Sequence, residues 1–423
     1  MTSAGPPVDA IEPAGGRRGR SGLGLSGVGL AGLPRPFWYL FGGTLLNRAG
    51  SFIAPFLSLY LTGSRGFSVA ETGVVLSLLG LGSAISQPVG GILADRIGRR
   101  RTMVTGLLSS AVALLVLGAA DGLAGIAAAA LAYGLCLDLF RPAVQAAVAD
   151  LVPDADRARA FALQFWAINL GFSIATPLGG FLASRGYWLL FVLDALASAG
   201  FALLILRGVP ETRPAAPTGG AGRMREVLSD RLMLALVASV IASAVVYLQA
   251  FSTLPLVFAR DGLGPGTYGL ALSLNGVLIV LLQPLLLGLL DRRSRAPLLL
   301  TAMLLQGAGF GLTAFADDLT GHLLAIAVWT LGEILQAGQL GALVASIAPP
   351  HLRGRYMGVF GLSFGTAAFL GPLIGTQVLE RFGEDALWSG ALALCVAAGG
   401  GLVQVSRAAD RRTVSAAGRP APR

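Results

Sequence analysis

The chain has 423 residues, 54% hydrophobic and 13% charged, with a net charge of +9. A soluble domain carries about 25% charged residues, so there is too little charge here to cover a water-facing surface of this size. All 31 basic residues are arginine, which excludes a Walker A lysine and a Schiff-base lysine, and with them P-loop nucleotide binding and imine chemistry.

Residues 1–33 are rich in Gly, Pro and Arg and read as a disordered tail. Arg17-Arg18 invites a twin-arginine export reading, but the segment after it is weakly apolar and carries no clear small-residue cleavage site. Gly22-Leu23-Gly24-Leu25-Ser26-Gly27 fits the dinucleotide pattern G-x-G-x-x-G without the preceding strand and βαβ unit that the pattern needs, so it reads as a linker.

Twelve apolar runs follow, each near the about 20 residues that span a bilayer. Their expected bounds are 37–62, 70–94, 102–120, 122–149, 158–184, 186–206, 231–258, 267–290, 296–316, 320–348, 354–380 and 385–406. The longest connection, 207–230, holds Pro210, Pro214, Pro217, Gly219, Gly220 and Gly222 and reads as a linker between two six-span halves, 34–206 and 231–406, with a second tail at 407–423. Cys136 and Cys395 both fall inside apolar runs. Two isolated cysteines supply neither a disulfide framework nor a metal site, and both read as small packing residues.

Twenty-five arginines fall in the even-numbered connections and the tails. Four, Arg65, Arg185, Arg260 and Arg381, fall in the odd-numbered ones, and Arg48 and Arg141 lie inside spans. This asymmetry predicts that both tails and the 207–230 linker are cytoplasmic, in a multi-pass protein of the plasma (inner) membrane. It also removes nucleic acid as a partner, because the charge is spread over loops with no recognition module.

The second connection carries the densest motif. In Gln87-Pro88-Val89-Gly90-Gly91-Ile92-Leu93-Ala94-Asp95-Arg96-Ile97-Gly98-Arg99-Arg100-Arg101, an apolar run ends in a burst of charge. Gly90 and Gly91 allow a close helix approach, and Gly98 suits a tight turn with positive φ. An ordinary basic loop on one membrane face would account for the arginines alone. The order G-x-x-x-D-R-x-G-R-R, matched at Gly91, Asp95, Arg96, Gly98, Arg99 and Arg100, resembles the signature loop between helices 2 and 3 of the major facilitator superfamily of transporters.

The chain also repeats itself. Gln87-Pro88 recurs as Gln283-Pro284, Asp95-Arg96 as Asp291-Arg292 and Arg99 as Arg295. Pro153, Arg157 and Arg159 recur as Pro349, Arg353 and Arg355, all at a spacing of 196 residues. Eight positions at one offset imply two parallel six-helix repeats, an all-α integral membrane architecture of twelve helices like the major facilitator fold. The second copy has decayed, with Leu287 in place of Gly91 and Ser294 in place of Gly98.

Polar residues inside spans are expensive and mark function. The first span carries Asn47 and Arg48 near its middle. The fourth carries Gly134, Asp138, Arg141 and Gln145, whose spacing places them on one helical face, and the tenth carries Glu333 and Gln336. Gln249 is a further cavity candidate, although Gln249, Tyr247, Asn275 and Gln164 also suit helix-packing hydrogen bonds. Asp138 and Arg141 could serve only to stabilise the bundle, and Asp194, nearer a span end, reads first as structural. Arg141 stays protonated, so it cannot carry a proton. Glu333 has no arginine within one turn of its own helix and is the expected titrating carboxyl. Arg48 could pair with either carboxylate or meet an anionic substrate group.

The resemblance implies more. Drug:proton antiporters of this superfamily carry an arginine in helix 4 linked to proton coupling, where Arg141 falls. They also carry a Gly-Pro-x-x-Gly-Gly motif in helix 5. Here Ala175-Thr176-Pro177-Leu178-Gly179-Gly180 lacks the glycine before the proline, and a nearer copy, Gly371-Pro372-Leu373-Ile374-Gly375, sits in the eleventh span. In the resembled family the signature Asp engages the cytoplasmic start of helix 11 and stabilises the outward-facing state, which would place the partner of Asp95 near Gly354.

No H-E-x-x-H, G-x-S-x-G or C-x-x-C occurs, and His322 and His351 fall in loops on opposite membrane sides, so no enzyme, cofactor or metal is expected. The sequence therefore reads as a monomeric, proton-coupled secondary transporter of small organic compounds, and the resemblance favours efflux by drug:proton antiport. A proton symporter importing a sugar, peptide or organic acid is the alternative. A membrane receptor would need a folded soluble domain that no loop or tail is long enough to form.

Overall fold

The computed structural model describes residues 32–153, 156–212, 224–290, 294–349 and 352–417, so Asp291 and Arg292 of the second signature copy lie outside the described residues. All regular structure in these segments is helical. The helices are α1 (Arg35–Ala49), α2 (Ile53–Leu59), α3 (Val69–Ile97), α4 (Arg99–Ala119), α5 (Gly122–Leu137), α6 (Phe140–Leu151), α7 (Arg157–Ala183) and α8 (Trp188–Gly208). There follow α9 (Met224–Ser229), α10 (Arg231–Tyr247), α11 (Gln249–Ser252), α12 (Leu254–Arg260), α13 (Pro265–Leu290), α14 (Arg295–Leu312), α15 (Leu319–Gln336), α16 (Gln339–Ile347) and α17 (Arg353–Ala417).

Among the described residues, ten helical stretches are long and apolar enough to cross a membrane. The expected count of twelve differs for two physical reasons. The first span is broken between α1 and α2 and ends in a π turn over Tyr60–Ser64, so no piece of it is long enough by itself. The last two spans run together as α17, which is interrupted only at Gly383, where φ of 82° is open to a residue without Cβ. Helix α17 also continues to Ala417, into the stretch expected to be a tail.

Local chemistry fixes the helix starts. Ser68 and Glu71 form a reciprocal capping box at the start of α3, the Ser68 hydroxyl accepting from the Glu71 N–H and the Glu71 carboxylate accepting from the Ser68 N–H. Asp230 caps α10 through the Leu232 N–H, and Asp318 caps α15 through the Gly321 N–H. The outer surface carries exposed leucine and valine, including Val112, Leu196, Leu281 and Leu285, as a lipid-facing bundle must.

The bundle has two ends. One, the Gly98 face, holds Leu33, the Gly98 turn and the starts of α7, α10 and α17. The other, the Gly186 face, holds the turns at Gly66, Gly122, Gly186, Gly262 and Gly383. A single buried apolar cluster on the Gly186 side joins Phe56, Leu57, Val75 and Phe191 to Val257, Phe258, Tyr268 and Trp388. Toward the Gly98 face the buried apolar clusters of the described residues do not mix. One cluster, including Phe37, Met103, Ala147 and Phe201, is drawn from residues 33–209, and another, including Met233, Leu299, Leu343 and Leu402, from residues 227–409. The two sets of helices are thus packed together on the Gly186 side and separate on the Gly98 side.

Candidate functional site

Two cavities, of about 380 and 330 Å3, are both lined by Phe165 of α7, and in the larger one Phe165 meets residues of the second helix set. Their other lining residues include Val148, Phe161 and Phe360, which sit toward the Gly98 ends of their helices, so the space opens to that face. Toward the Gly186 side the floor is aromatic. Phe56 of α2 meets Tyr268 of α13 edge-on at 5.5 Å between centroids, and Phe172 of α7 meets Phe251 of α11 at 5.9 Å.

The smaller cavity is built on α1, α6 and α7. Helix α1 stops at Ala49, so Asn47 and Arg48 lie in its last turn rather than in the middle of a span. The break leaves the Ile53 N–H without a carbonyl partner, while the Phe52 N–H reaches the Gly50 carbonyl at 2.9 Å. The Asp194 carboxylate of α8 accepts from both, the Ile53 bond measuring 3.4 Å. Asn47 Nδ2 donates to Ser198 Oγ of α8 at 3.0 Å. These contacts fix α1 against α8, while Arg48 lines the cavity beside Gln145 and Gln164.

The expected single face of Gly134, Asp138, Arg141 and Gln145 is divided by a break in the span. Helix α5 ends at Leu137 and α6 starts at Phe140, with Asp138 in the turn between. Gly134 packs against α3, where a Cβ would sit 2.1 Å from the Leu79 carbonyl oxygen. Asp138 is buried, accepts from the Ser83 hydroxyl of α3, and lies 2.7 Å from Arg141 Nε as an ion pair off hydrogen-bond geometry. Arg141 and Gln145 face the cavity.

The larger cavity is built on α10, α13, α14, α15 and α16. Glu333 Oε2 accepts from Asn275 Nδ2 at 2.8 Å, and the carboxylate also accepts from the Tyr247 hydroxyl. Asn275 donates in addition to Thr330 Oγ1 at 3.1 Å. Gln336 Nε2 donates to Gln306 Oε1 at 3.1 Å, and Gln306 Nε2 to the Ser243 carbonyl at 2.9 Å. Among the described residues no ion pair involves Glu333, whose partners are all neutral.

Gln249 lies elsewhere. Its amide donates to the Val245 and Gly371 carbonyls, at 2.8 and 2.9 Å, and its oxygen accepts from Ser252 and Thr253, so its hydrogen-bonding capacity is spent on joining α11 to α17. It therefore lines a groove between these helices and not the central space. Pro177 and Pro372 lie inside continuous helices, and the glycines beside them are sites of close approach. A Cβ at Gly179 would meet the Phe56 ring, at Gly180 the Pro265 carbonyl, at Gly371 the Leu248 side chain and at Gly375 the Gln249 amide.

The signature loop forms a self-contained network. Gly98 has φ of 100°, and a Cβ there would collide with the Glu211 carboxylate, which accepts from the Arg99 N–H at 2.6 Å at the start of α4. Arg99 is buried and reaches the Ala94 carbonyl, Asp95 at 2.9 Å and Asp150 at 3.3 Å. Arg100 donates to the Glu211 carboxylate and, from its guanidinium, to the Leu206 carbonyl. Arg96 is exposed. Asp95 is itself largely exposed, and its ion pair is with Arg99 on its own side instead of the start of α17. Gly90 packs against the Leu139 backbone, but Gly91 faces open space. His322 is buried in the first turns of α15, not in a loop, with Nε2 2.8 Å from Asp261. His351 lies outside the described residues.

Sequence reasoning named Arg48, Asp138, Arg141, Gln145, Glu333 and Gln336, and missed Ser83, Gln306, Glu211 and the shared Phe165. Nothing in their sequence context marks them, because small hydroxyl, amide and aromatic residues are ordinary in membrane helices and an acidic residue such as Glu211 is ordinary in a connection. Tyr247 and Asn275 were visible as buried hydrogen bonders, but their common acceptor on α15 required the fold.

A family model described as Major Facilitator Superfamily matches residues 40–372 and 250–420. The MFS-type transporter YhjO of Bacillus subtilis, named as uncharacterized, is 28% identical over 366 residues, covering 85% of this chain and 90% of that protein. A Na(+), Li(+), K(+)/H(+) antiporter of Planococcus maritimus is 24% identical, covering 79% and 87%. Multidrug resistance protein MdtH of Aeromonas hydrophila is 26% identical, covering 78% and 84%. Among solved structures, a POT family transporter in complex with a thioalcohol-conjugated peptide superposes with a TM-score of 0.77 at 15% identity, covering 90% and 98%.

Proposed function

The chain belongs to the major facilitator superfamily of membrane transporters, and we propose that it exports small, largely hydrophobic organic compounds in exchange for protons. The observation that carries this reading is Glu333. A carboxyl on the wall of a mostly apolar cavity, held by Asn275 and Tyr247 and by no cation, is free to exchange a proton with the space that holds the substrate. The relatives named as a cation/proton antiporter and as a multidrug resistance protein support exchange and efflux.

The arginine asymmetry supports a cytoplasmic Gly98 face in the plasma membrane, with both tails and the 207–230 linker on that side. The described conformation is then open inward and closed outward, one of the two end states of alternating access. The repeat at 196 residues supports two halves rocking about the central space. In this scheme the protein works as a monomer. Arg141 pairs with Asp138 beside the cavity, and Glu333 is the group that alternates between protonated and ionised forms.

The test is transport in proteoliposomes under an imposed pH gradient, with matched cationic, anionic and neutral aromatic compounds. Uphill movement of a compound against the proton flux supports antiport. Movement with the protons selects the symport alternative, and no response to the gradient rejects proton coupling. A reporter tag inserted in 207–230 that is accessible from outside intact cells would overturn the topology.

A further inference from the structure

Helices α3 and α17 run side by side for much of the bundle. A Cβ at Gly73 would strike Thr376, one at Gly80 the Ala368 carbonyl, and one at Gly365 the Ala84 side chain. Their Gly186-side ends meet in a polar contact. The carboxylate of Glu380, on α17, accepts from the Ala70 N–H in the first turn of α3 at 2.5 Å. That N–H is one of the donors a helix start leaves without a partner. The capping box uses Ser68 and Glu71 for the neighbouring groups and leaves Ala70 to Glu380. An anion at this position also faces the positive end of the helix dipole.

The contact is set apart by what it joins. The ion pairs of Arg65 with Asp121 and Arg260 with Glu384 on this face, and the contact of His322 with Asp261, stay within residues 33–209 or within 227–409. The Ala70–Glu380 contact crosses between the two sets. At the far ends of the same helices the arrangement is mirrored but unmade. Asp95, late on α3, carries a carboxylate that is largely exposed and paired with Arg99, while α17 begins at Arg353. Each helix therefore carries a carboxylate near its end, on the side where the other helix starts. Among the described residues, Glu380 is docked on the other helix and Asp95 is paired with Arg99 on its own side.

We propose that Glu380 is the outer gate residue of this transporter, holding the Gly186 side shut by docking on the start of α3, in reciprocal exchange with Asp95 at the other end of the same helix pair. The proposal rests on the alternating-access reading but not on proton coupling or on the direction of transport. Rocking the halves apart on the Gly186 side must pull Glu380 off Ala70, because the two belong to different sets. Closing the Gly98 side brings the Asp95 end of α3 toward the start of α17. The glycine and alanine contacts between them keep the helices in register during both movements.

The test uses two single-cysteine reporters in a Cys136→Ser, Cys395→Ser background. Ala271→Cys, buried on the Gly186 side, reports outer opening, and Ala337→Cys, lining the larger cavity, reports inner opening. Labelling by a membrane-impermeant maleimide is measured from each side of oriented vesicles. Glu380→Gln removes the charge from an exposed side chain and should raise Ala271→Cys labelling about two- to fivefold, while lowering Ala337→Cys labelling. Adding Asp95→Asn should return the ratio toward that of the parent. Unchanged labelling, both reporters moving in the same direction, or a double variant no closer to the parent than Glu380→Gln alone would each overturn the reciprocal gate. Because accessibility is read directly, a protein that fails to couple transport to protons can still show the gate.

Discussion

Arg141 Nε lies 2.7 Å from Asp138 Oδ1, and the two residues flank the break between α5 and α6. The carboxylate is buried and also takes a hydrogen bond from Ser83, while the guanidinium reaches the cavity. The pair thus ties a helix break to a neighbouring helix and sets a cation on the cavity wall. Removing only the acid leaves an arginine without its partner in a largely apolar setting. Asp138→Asn should lower thermal stability by about 1–3 kcal/mol, the low end reflecting the partial exposure of Arg141. Asp138→Asn with Arg141→Gln should recover much of that loss. Melting curves of the three variants in detergent check this, and a double variant less stable than the single one would show that the pair is not the source of the effect.

Glu333→Gln preserves the size and the acceptor oxygen that Asn275 uses, but cannot exchange a proton. It should abolish accumulation driven by a pH gradient and keep substrate exchange between equal concentrations. Full gradient-driven transport by this variant would move the coupling site elsewhere.

Asp95→Asn weakens a carboxylate whose other expected partner is the start of α17. It should favour the conformation described here, raising cysteine accessibility on the Gly98 face about two- to fivefold with little change in folding yield. Equal accessibility in variant and parent would remove Asp95 from the conformational equilibrium.

Asp230, just before α10, gives a pH dependence outside the membrane. Burial pushes its carboxyl up, but bonds from Arg412, Tyr356 and the Leu232 N–H outweigh this and hold it below the usual carboxylate range. Because the folded value is the lower one, the ionised form stabilises the fold. That contribution is complete above the unfolded value of about 3.9 and is lost as pH falls through the folded value. Asp230→Asn should therefore lower stability by about 1 kcal/mol at pH 7 and by less below about pH 4. A deficit that stays constant down to pH 3 would contradict the assignment.

Much of the architecture was legible before any coordinates. Hydropathy located the membrane-crossing stretches, because lipid forces long apolar helices, and the expected bounds near Val69, Arg231 and Leu319 fall within a residue or so of the helix starts. The internal breaks were not legible. The gap after α1 depends on Asp194, and the turn at Asp138 depends on Ser83, partners 141 and 55 residues away in sequence. The site was legible as residue types and not as pairings. Arg48 and Glu333 stood out as charges in apolar runs, whereas the role of Gln249 followed from the Gly371 carbonyl it meets on α17.

The contact of α3 with α17 at Ala84 and Gly365 has a mechanical consequence. Ala84 lies 15 residues from the first residue of α3 and 13 from the last. At about 1.5 Å per residue these are arms of roughly 22 and 20 Å. A rigid rod supported near its midpoint moves its two tips by nearly equal amounts in opposite directions. If α3 tilts about this contact as a straight rod, an opening of a few ångströms at one end goes with a closing of similar size at the other, and Pro88, inside α3, is where the helix would have to bend for both ends to open at once.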